Sequence, residues 1–221
     1  MRLGVLISGR GSNLQALIDA CANPAYPAEI AVVVSNRADA KGLARAAAAG
    51  IPSAVIAHRE RQDFAVEADA RLREHRVELV CLAGFMRLLD AGLVEAWRDR
   101  MVNIHPSLLP AFPGLHAQRQ ALAAGVRFAG CTVHFVRPAT DTGPILAQAV
   151  VPVHPDDNEE SLSARILAAE HRLYPHSVRL VAEGRTRIVA GKVEIDGWEV
   201  PELAALNPSD RPLDPLVSPP G

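Results

Sequence analysis

Residues 3–14, with the sequence LGVLISGRGSNL, contain an apolar run of strand length, a glycine-rich turn and the start of a helical pattern. The run from Leu3 to Ile7 predicts a buried β-strand, and the spacing that follows predicts a helix from Asn13 to Cys21. The first backbone N–H groups of such a helix are unpaired, and the helix dipole favours a negative charge beside them. The stretch therefore predicts a strand, a tight turn and a helix that together bind an anion, for which a phosphate group is the natural guest.

The same strand-and-helix unit repeats through the first half of the chain. Five apolar runs have the length of buried strands: Leu3 to Ile7, Ile30 to Val34, Ser53 to Ile56, Leu79 to Ala83 and Met101 to Ile104. Four helical patterns lie between them: Asn13 to Cys21, Lys41 to Ala49, Gln62 to Glu74 and Asp90 to Trp97. This alternation predicts an α/β, Rossmann-like fold with a mostly parallel twisted sheet, right-handed crossovers and helices on both faces.

The regular alternation of strand and helix patterns ends after Ile104. A proline-rich loop leads to a short helix near residues 117–124, two more apolar strands and a long helix from about Ser161, whose Ser-Leu-Ser-Ala start offers an N-cap. We expect the C-terminal part of the sheet to be mixed or antiparallel, and a small hairpin near residues 187–197. Six of the 17 prolines lie in residues 201–221, so we expect a single domain over residues 1–200 and an irregular Pro-rich tail over 201–221.

Charge and cysteine content exclude several function classes. The 221 residues carry 23 basic and 25 acidic side chains, for a formal net charge of −2, which argues against binding nucleic acid or an anionic membrane. The three cysteines, Cys21, Cys81 and Cys131, are widely spaced and odd in number, which favours a reducing compartment over a disulfide framework. No segment has the pattern of a signal peptide or a membrane span, so we expect a cytoplasmic protein.

The glycine-rich turn does not match the common nucleotide-binding patterns. Leu14 stands where the dinucleotide fingerprint has its third glycine, and the Gly-Lys-Ser/Thr of a P-loop is missing. A plain structural alternative is a tight turn in which Ser12 is an ordinary N-cap. The turn by itself leaves both interpretations open.

The second informative stretch is Asn103-Ile104-His105-Pro106, at the end of the fifth predicted strand. Asn103 and His105 project to one face because side chains alternate along a strand, and Pro106 ends the ladder. Both side chains thus emerge at the carboxyl end of a parallel sheet, where open α/β folds bind ligands. An amide beside a group that titrates near neutrality suits a developing oxyanion with proton transfer. The alternative is that His105 only hydrogen-bonds backbone at the strand end.

Asp141 is the third candidate, in a loop that follows another predicted strand. Its carboxylate is suited to hold His105 charged and oriented, although its spacing to Gly143 also suits an Asx-type turn. The scattered histidines have none of the spacings of zinc sites, so we expect no metal. The residues alone therefore indicate a phosphate-bearing small molecule and an Asn/His/Asp set for acyl or related transfer.

Six stretches carry a family resemblance: Leu6 to Gln15, Leu82 to Leu89, Asn103 to Pro110, Pro113 to His116, Val133 to Val136 and Ala169 to Pro175. In this order and spacing they resemble the phosphoribosylglycinamide formyltransferase family of purine biosynthesis, collinearly from residue 1 to about residue 187. The resemblance implies transfer of a formyl group from 10-formyltetrahydrofolate, the co-substrate, to the amine of 5-phosphoribosylglycinamide. It implies small-molecule partners, with a homodimer as one possible assembly.

The resemblance also implies roles for individual residues. The catalytic set falls on Asn103, His105 and Asp141, in agreement with the reading from the residues, with His134 in support. The phosphoribosylglycinamide site falls on Gly11, Ser12, Asn13 and Glu170. The folate site falls on Arg61, Met86, Arg87, Leu88, Leu89, Asn103, Arg137, Thr140 and Asp141. Without the resemblance, Met86, Leu88 and Leu89 read as ordinary core and Arg61 as part of a solvated helix start.

Two kinds of rival remain. Methionyl-tRNA formyltransferase and formyltetrahydrofolate deformylase share the Asn-x-His and Asp-x-Gly pattern, but we expect the first to add a basic C-terminal RNA-binding domain and the second an N-terminal regulatory domain, and neither is apparent in this sequence. A non-catalytic phosphosugar-binding protein on the same fold predicts loss of Asn103, His105 or Asp141. All three residues are present.

Overall fold

The computed structural model describes residues 1–57 and 60–198. The strands are β1 (Arg2–Ile7), β2 (Glu29–Ser35), β3 (Ser53–Val55), β4 (Leu79–Leu82), β5 (Met101–His105), β6 (Phe128–Phe135), β7 (Ile145–Pro152), β8 (Thr186–Val189) and β9 (Lys192–Ile195). The helices are α1 (Ser12–Cys21), α2 (Gly42–Ala48), α3 (Arg61–Glu74), α4 (Ala91–Ala96), α5 (Ala117–Ala123) and α6 (Glu159–Ala182). The predicted strands and helices of the first half are all present. The predicted tail at residues 201–221 lies outside the described residues.

Seven strands form one sheet in the order β3-β2-β1-β4-β5-β6-β7, and β8 and β9 form a separate hairpin. The strands β1 to β5 pair in parallel, whereas β6 runs antiparallel to both β5 and β7. The predicted α/β fold with a mixed C-terminal part is therefore confirmed. Because five strands run the same way, their carboxyl ends and the loops that follow them share one edge of the sheet.

Alternation along the strands divides the core between two faces. Leu3, Val5 and Ile7 of β1 belong to the core that α1, α5 and α6 cover, whereas Leu6 packs into the core beneath α3 and α4. Full burial of one such aliphatic side chain stabilises the fold by about 1.5–3 kcal/mol. The same alternation places Val102 and Ile104 of β5 in the first core, so Asn103 and His105 lie on the opposite face.

The long helix α6 begins earlier than the sequence suggested. Asn158 is its N-cap and accepts from the N–H groups of Glu160 and Ser161, while the Ser161 hydroxyl accepts from Asn158 N–H. This is a capping box, in which two side chains satisfy each other's backbone N–H groups. The expected N-cap at Ser161 is therefore wrong, and the serine acts from the third helical position. No helix among the described residues is both long and apolar enough to cross a membrane.

Candidate active site

The glycine turn, residues 8–13, leads from β1 into α1. Gly11 is the N-cap with φ of 69°, in the left-handed region that favours glycine, and no side chain caps the helix. The first helical bond runs from Gln15 N to Gly11 O, so the N–H groups of residues 12–14 have no partner within the helix. Ser12 is thus the first helical residue, which contradicts its reading as an N-cap. The turn presents free N–H groups at a helix start, as an anion site requires.

A second glycine makes the turn possible. A Cβ on Gly11 would lie 2.6 Å from the Cα of Gly42, the first residue of α2. Gly42 N–H donates to Gly9 O at 3.0 Å, and the Arg45 Nε–H donates to Arg10 O, also at 3.0 Å. The start of α2 therefore supports the glycine turn from behind.

Glu170 of α6 lies beside the glycine turn. Its Oε2 accepts from Asn13 Nδ2 at 2.7 Å, and both side chains are buried. Burial raises the pKa of Glu170 to about 7, against the opposing effect of the Asn13 hydrogen bond. The Oδ1 atom of Asn13 is buried without a hydrogen-bond partner, which is unusual for a polar atom and indicates a place for a donor from a ligand.

The candidate reaction centre, called the reaction centre below, consists of Asn103, His105, His134 and Asp141 and forms on β5, β6 and the loop that follows β6. Strand register sets Asn103 opposite His134. The Nδ2 of Asn103 lies 3.2 Å from His134 Nε2, and His134 Nδ1 lies 3.1 Å from the Phe135 carbonyl. A carbonyl only accepts, so His134 Nδ1 carries a proton, and in the neutral ring Nε2 accepts from Asn103. The amide of Asn103 keeps a second N–H for another acceptor.

His105 is buried between two groups that accept hydrogen bonds. Its Nε2 lies 3.0 Å from the carbonyl of Phe112, and its Nδ1 lies 3.4 Å from Asp141 Oδ2. The carbonyl fixes a proton on Nε2 for the same reason as in His134. The alternative in which His105 contacts only backbone is therefore wrong, because the ring faces a carboxylate as well.

Asp141 joins the four side chains into one cluster. It has φ of 54°, its Oδ2 accepts from Gly114 N–H at 2.8 Å, and its Oδ1 lies 3.6 Å from His134 Nε2. Burial opposes ionisation of this carboxyl, but its hydrogen bond from Gly114 N–H and the nearby rings of His134 and His105 outweigh burial and lower its pKa. Asp141 thus provides a negative charge beside both histidines.

The segment predicted to meet folate, Met86 to Leu89, follows β4 at the same edge. Met86 is 73% and Leu88 52% exposed, so their reading as ordinary core is wrong. Met86 N–H donates to the Ser8 hydroxyl at 2.8 Å, which ties this segment to the glycine turn. Leu89 packs against the second core, and Arg87 lies over the Phe64 ring at 5.5 Å. Exposed apolar side chains beside a polar cluster are typical of a binding site for a flat organic ligand.

The remaining predicted folate residues are more scattered. Arg61 is the exposed first residue of α3, and Thr140 is exposed in the loop before Asp141. The Arg137 side chain points away from the reaction centre and pairs with Asp99. Among the described residues, no group of three or more His, Cys, Asp and Glu side chains is arranged to hold a metal ion.

Sequence reasoning missed the partners that come from distant segments. Gly42, the Phe112 carbonyl, the Gly114 N–H and the Ser8 hydroxyl all shape the site. The run of Pro110, Pro113 and Gly114 signalled an irregular loop, but no local pattern shows which of its backbone groups face His105 and Asp141.

The fold is of the α/β class, and its clustered polar side chains and free backbone N–H groups lie at the carboxyl edge of the sheet, where α/β enzymes bind their substrates. Residues 1–178 match the formyl transferase family, and the chain belongs to that family. The phosphoribosylglycinamide formyltransferase of Escherichia coli (strain K12) is 42% identical to it over 204 residues, which cover 91% of this chain and 96% of that protein. The resemblance drawn from the motifs is therefore confirmed.

Longer relatives and solved structures also support membership of this family. The trifunctional purine biosynthetic protein adenosine-3 of Drosophila pseudoobscura pseudoobscura is 54% identical over 194 residues, and this match spans only 14% of that protein. The crystal structure of glycinamide ribonucleotide transformylase 1 from Symbiobacterium toebii has a TM-score of 0.86 at 53% identity and covers 88% of this chain and 93% of its own. A formyltetrahydrofolate deformylase from Pseudomonas syringae reaches a TM-score of 0.82 at 26% identity, over 88% of this chain and 65% of its own. Fold alone therefore does not separate these activities.

Proposed function

We propose that the chain transfers the formyl group of 10-formyltetrahydrofolate to the amine of 5-phosphoribosylglycinamide in purine biosynthesis. One observation carries the proposal: a cluster of Asn, two His and Asp side chains forms at the sheet edge that also bears a glycine turn with free N–H groups. The relative from Escherichia coli, which has nearly the same length, is named for this reaction. Three buried or partly buried cysteines without disulfides are consistent with action in the cytoplasm.

The glycine turn is the proposed site of the nucleotide phosphate. The backbone N–H groups of Gly11, Ser12 and Asn13 lie at the start of α1, where the helix dipole favours a negatively charged phosphate. The unpartnered Oδ1 of Asn13 and the carboxyl of Glu170 then accept from donors of the ribosyl glycinamide. Binding needs no surplus of basic side chains, because backbone dipoles supply the positive potential.

The proposed folate site lies on the other side of the reaction centre. Backbone groups of Met86 to Leu89 meet the pterin edge, and the exposed side chains of Met86 and Leu88 cover its flat face. Asn103, Asp141, Thr140 and the backbone at Arg137 complete this site. Arg61, at the start of α3, meets the carboxylate tail of the folate.

In the proposed reaction, the amine nitrogen attacks the formyl carbon and forms a new C–N bond while the carbonyl electron pair moves to oxygen. The oxygen pair then re-forms the carbonyl, the bond from carbon to folate N10 breaks, and one proton from the attacking nitrogen ends on N10. Holding both substrates together removes much of the entropic barrier. The free N–H of Asn103 donates to the oxyanion, and such a donor contributes about 3 kcal/mol to transition-state stabilisation.

His105 is the second proposed donor, and the Asp141 carboxylate, 3.4 Å from its Nδ1, keeps the ring oriented. In the free enzyme the Nε2–H of His105 donates its hydrogen bond to the Phe112 carbonyl. Donation to the oxyanion therefore requires this carbonyl to move aside. Phe112 and His116 have positive φ values of 54° and 60°, which side chains disfavour, so contacts rather than backbone preference hold this loop in place.

The test is a spectroscopic assay for tetrahydrofolate release from 10-formyltetrahydrofolate, with and without phosphoribosylglycinamide. We expect release only when the nucleotide is present, together with one formylated nucleotide for each tetrahydrofolate. Asn103→Ala protein, prepared in the same way, controls for contaminating activity. Equal release without the nucleotide would show deformylase activity and contradict the proposal.

A further inference from the structure

The loop between β6 and β7, residues 136–144, carries Asp141 and is fastened at its first residues. We call this segment the Asp141 loop. The guanidinium of Arg137 donates to the Val136 carbonyl at 2.9 Å and to Asp99 Oδ1 at 2.5 Å. The Arg137 side chain is only 15% exposed. The Asp99 side chain is 50% exposed, so water reaches the pair from the carboxylate side, and its role is to fix geometry rather than to add a large electrostatic stabilisation.

Asp99 lies in the turn that leads from α4 into β5. Its φ is 60°, a conformation that costs most residues about 1 kcal/mol and that Asp and Asn tolerate best. This backbone conformation directs the carboxylate to Arg137. The pair therefore joins the segment that enters β5 to the segment that leaves β6, which are the two strands that supply Asn103, His105 and His134 to the reaction centre.

Beyond Arg137, Asp141 itself accepts from Gly114 N–H at 2.8 Å, and the other hydrogen bonds of the Asp141 loop are local. Thr142 Oγ1–H donates to Ala139 O at 3.0 Å, and Phe135 N–H closes the base of the loop on Pro144 O at 2.9 Å. The residues between Arg137 and Asp141 are exposed. The position of the Asp141 carboxylate thus depends on how the two ends of the loop are held.

The closing end is fixed by sterics. A Cβ on Gly143 would lie 1.6 Å from the Phe135 carbonyl oxygen, so this glycine packs directly on β6. At the opening end, Val136 N–H donates to Met101 O of β5 at 2.8 Å, and the Arg137 side chain adds a second fixed point through Asp99.

We propose that Arg137 is a positioning residue: its ion pair with Asp99 fixes the start of the Asp141 loop, so that the Asp141 carboxylate reaches His105 and His134. This inference rests on the proposed function, because it treats Asp141 as part of the catalytic set. Misplacement of a catalytic group by about 1 Å is enough to lower a rate about 100-fold. Charge at Arg137 is therefore a determinant of turnover, although its side chain does not touch the reaction centre.

Two substitutions test the pair. Arg137→Met keeps the apolar stem and removes the charge, whereas Asp99→Asn keeps an αL-tolerant residue and removes the carboxylate. We expect each to lower kcat about 10-fold or more and to leave the KM for phosphoribosylglycinamide unchanged, because the glycine turn is built from other residues. The double variant is expected to be no slower than either single variant, since both remove the same interaction.

A readout independent of turnover is the pKa of Asp141, followed by ¹³C NMR of its carboxyl carbon. The groups that face this carboxyl are His105 from β5, His134 from β6 and the Gly114 N–H. We expect the pKa to lie below the ordinary value in the wild type and to rise towards it in Arg137→Met. Arg71→Met is the matched control, because it removes a 3.0 Å surface pair with Glu74 on α3, and it should change neither kcat nor the Asp141 pKa.

The two proposals fail in different ways. A wild-type kcat in Arg137→Met, with the same Asp141 titration, would overturn the positioning role and leave the formyl transfer intact. A lower melting temperature with unchanged kcat would overturn it too, since the pair would then only stabilise the fold. If the wild type transfers no formyl group, the proposed function fails, and an unshifted Asp141 titration in Arg137→Met would separately overturn the positioning role.

Discussion

The glycine turn and the reaction centre are built in opposite ways. The turn is a contiguous segment whose chemistry lies in its backbone, and it depends on the absence of side chains at Gly11 and Gly42. The reaction centre collects four side chains from two strands and a loop, and the backbone beneath them is held by sheet hydrogen bonds. The first site is therefore sensitive to added atoms and the second to removed ones.

This difference assigns a kinetic signature to each region. A change in the turn alters the N–H groups that we propose hold the phosphate throughout the reaction, so it should act mainly on nucleotide binding. A change in the reaction centre removes groups that we propose act only when charge develops, so it should act mainly on kcat. A substitution in the turn that acts mainly on kcat, or one in the reaction centre that acts mainly on nucleotide binding, would show that the two regions do not work separately.

The largest effect is expected for His105→Ala. We expect kcat to fall about 10²–10⁴-fold, because a proton-transfer group and an oxyanion donor are lost together. The dissociation constants for the nucleotide and for folate should change less than about threefold, since neither proposed binding segment contains this residue. Stopped-flow turnover and calorimetric titration measure the two quantities.

His154→Ala is the control for histidine removal, because His154 is exposed between β7 and α6. It should behave as the wild type. Near-normal turnover of His105→Ala would remove this residue from the catalytic set and leave the reaction centre with Asn103 as its main donor.

Gly11→Ala is the matching change in the turn. Its Cβ would meet the Gly42 Cα at 2.6 Å, and the residue already has φ of 69°. We expect a stability loss of about 2–4 kcal/mol, from left-handed strain together with overpacking. We also expect the nucleotide KM to rise about tenfold, the equivalent of about 1.4 kcal/mol, with a smaller change in kcat.

Gly50→Ala separates the two causes. Gly50 has φ of 68° and nothing within 4 Å of its added Cβ, so it carries the strain without the collision. We expect a loss of about 1 kcal/mol and unchanged kinetics. Equal effects of the two substitutions would show that conformational strain alone, and not the contact of two glycines, explains the sensitivity of the turn.

The same contrast explains what could be predicted from the sequence. The order of strands and helices in the first half follows from local apolar periodicity, and the pairing of Asn103 with His105 on one face follows from strand alternation. The free N–H groups of the glycine turn could also be predicted, because they belong to consecutive residues at a helix start. Sequence patterns are sufficient to predict a feature when all of its groups come from neighbouring residues in the chain.

Contacts between distant segments could not be predicted from the sequence. Gly42 approaches Gly11 only because α2 packs behind the turn, and the Phe112 carbonyl meets His105 only through the path of a loop. The start of α6 was misplaced because Asn158 and Ser161 are both good capping residues, and only the reciprocal hydrogen bonds of the capping box decide between them. The ion pair between Asp99 and Arg137 likewise depends on the register of β5 and β6.

The smallest effect is expected for Glu170→Gln. The Glu170 side chain reaches the glycine turn from α6, so this substitution tests whether side chains also matter in a site built from backbone groups. Burial raises the pKa of Glu170 from its ordinary value of 4.5 to about 7. Between these two pH values the folded state keeps a proton that the unfolded state has lost, so the free energy of unfolding falls as pH rises through this window. At about 1.36 kcal/mol per pKa unit, the loss is at most about 3 kcal/mol.

Gln stays neutral and keeps an oxygen for Asn13, so Glu170→Gln should remove this pH dependence. In urea unfolding we expect the variant to match the wild type near pH 4 and to exceed it by about 1–3 kcal/mol at pH 8, while nucleotide binding weakens. Glu95→Gln, on the exposed pair with Arg98, controls for loss of a carboxylate. Parallel pH profiles for Glu170→Gln and the wild type would mean that Glu170 is ionised in the free enzyme at little cost. A stabler but weaker-binding variant would instead show that this buried carboxyl is kept for the ligand at the expense of the fold, as the side chains of a reaction centre are.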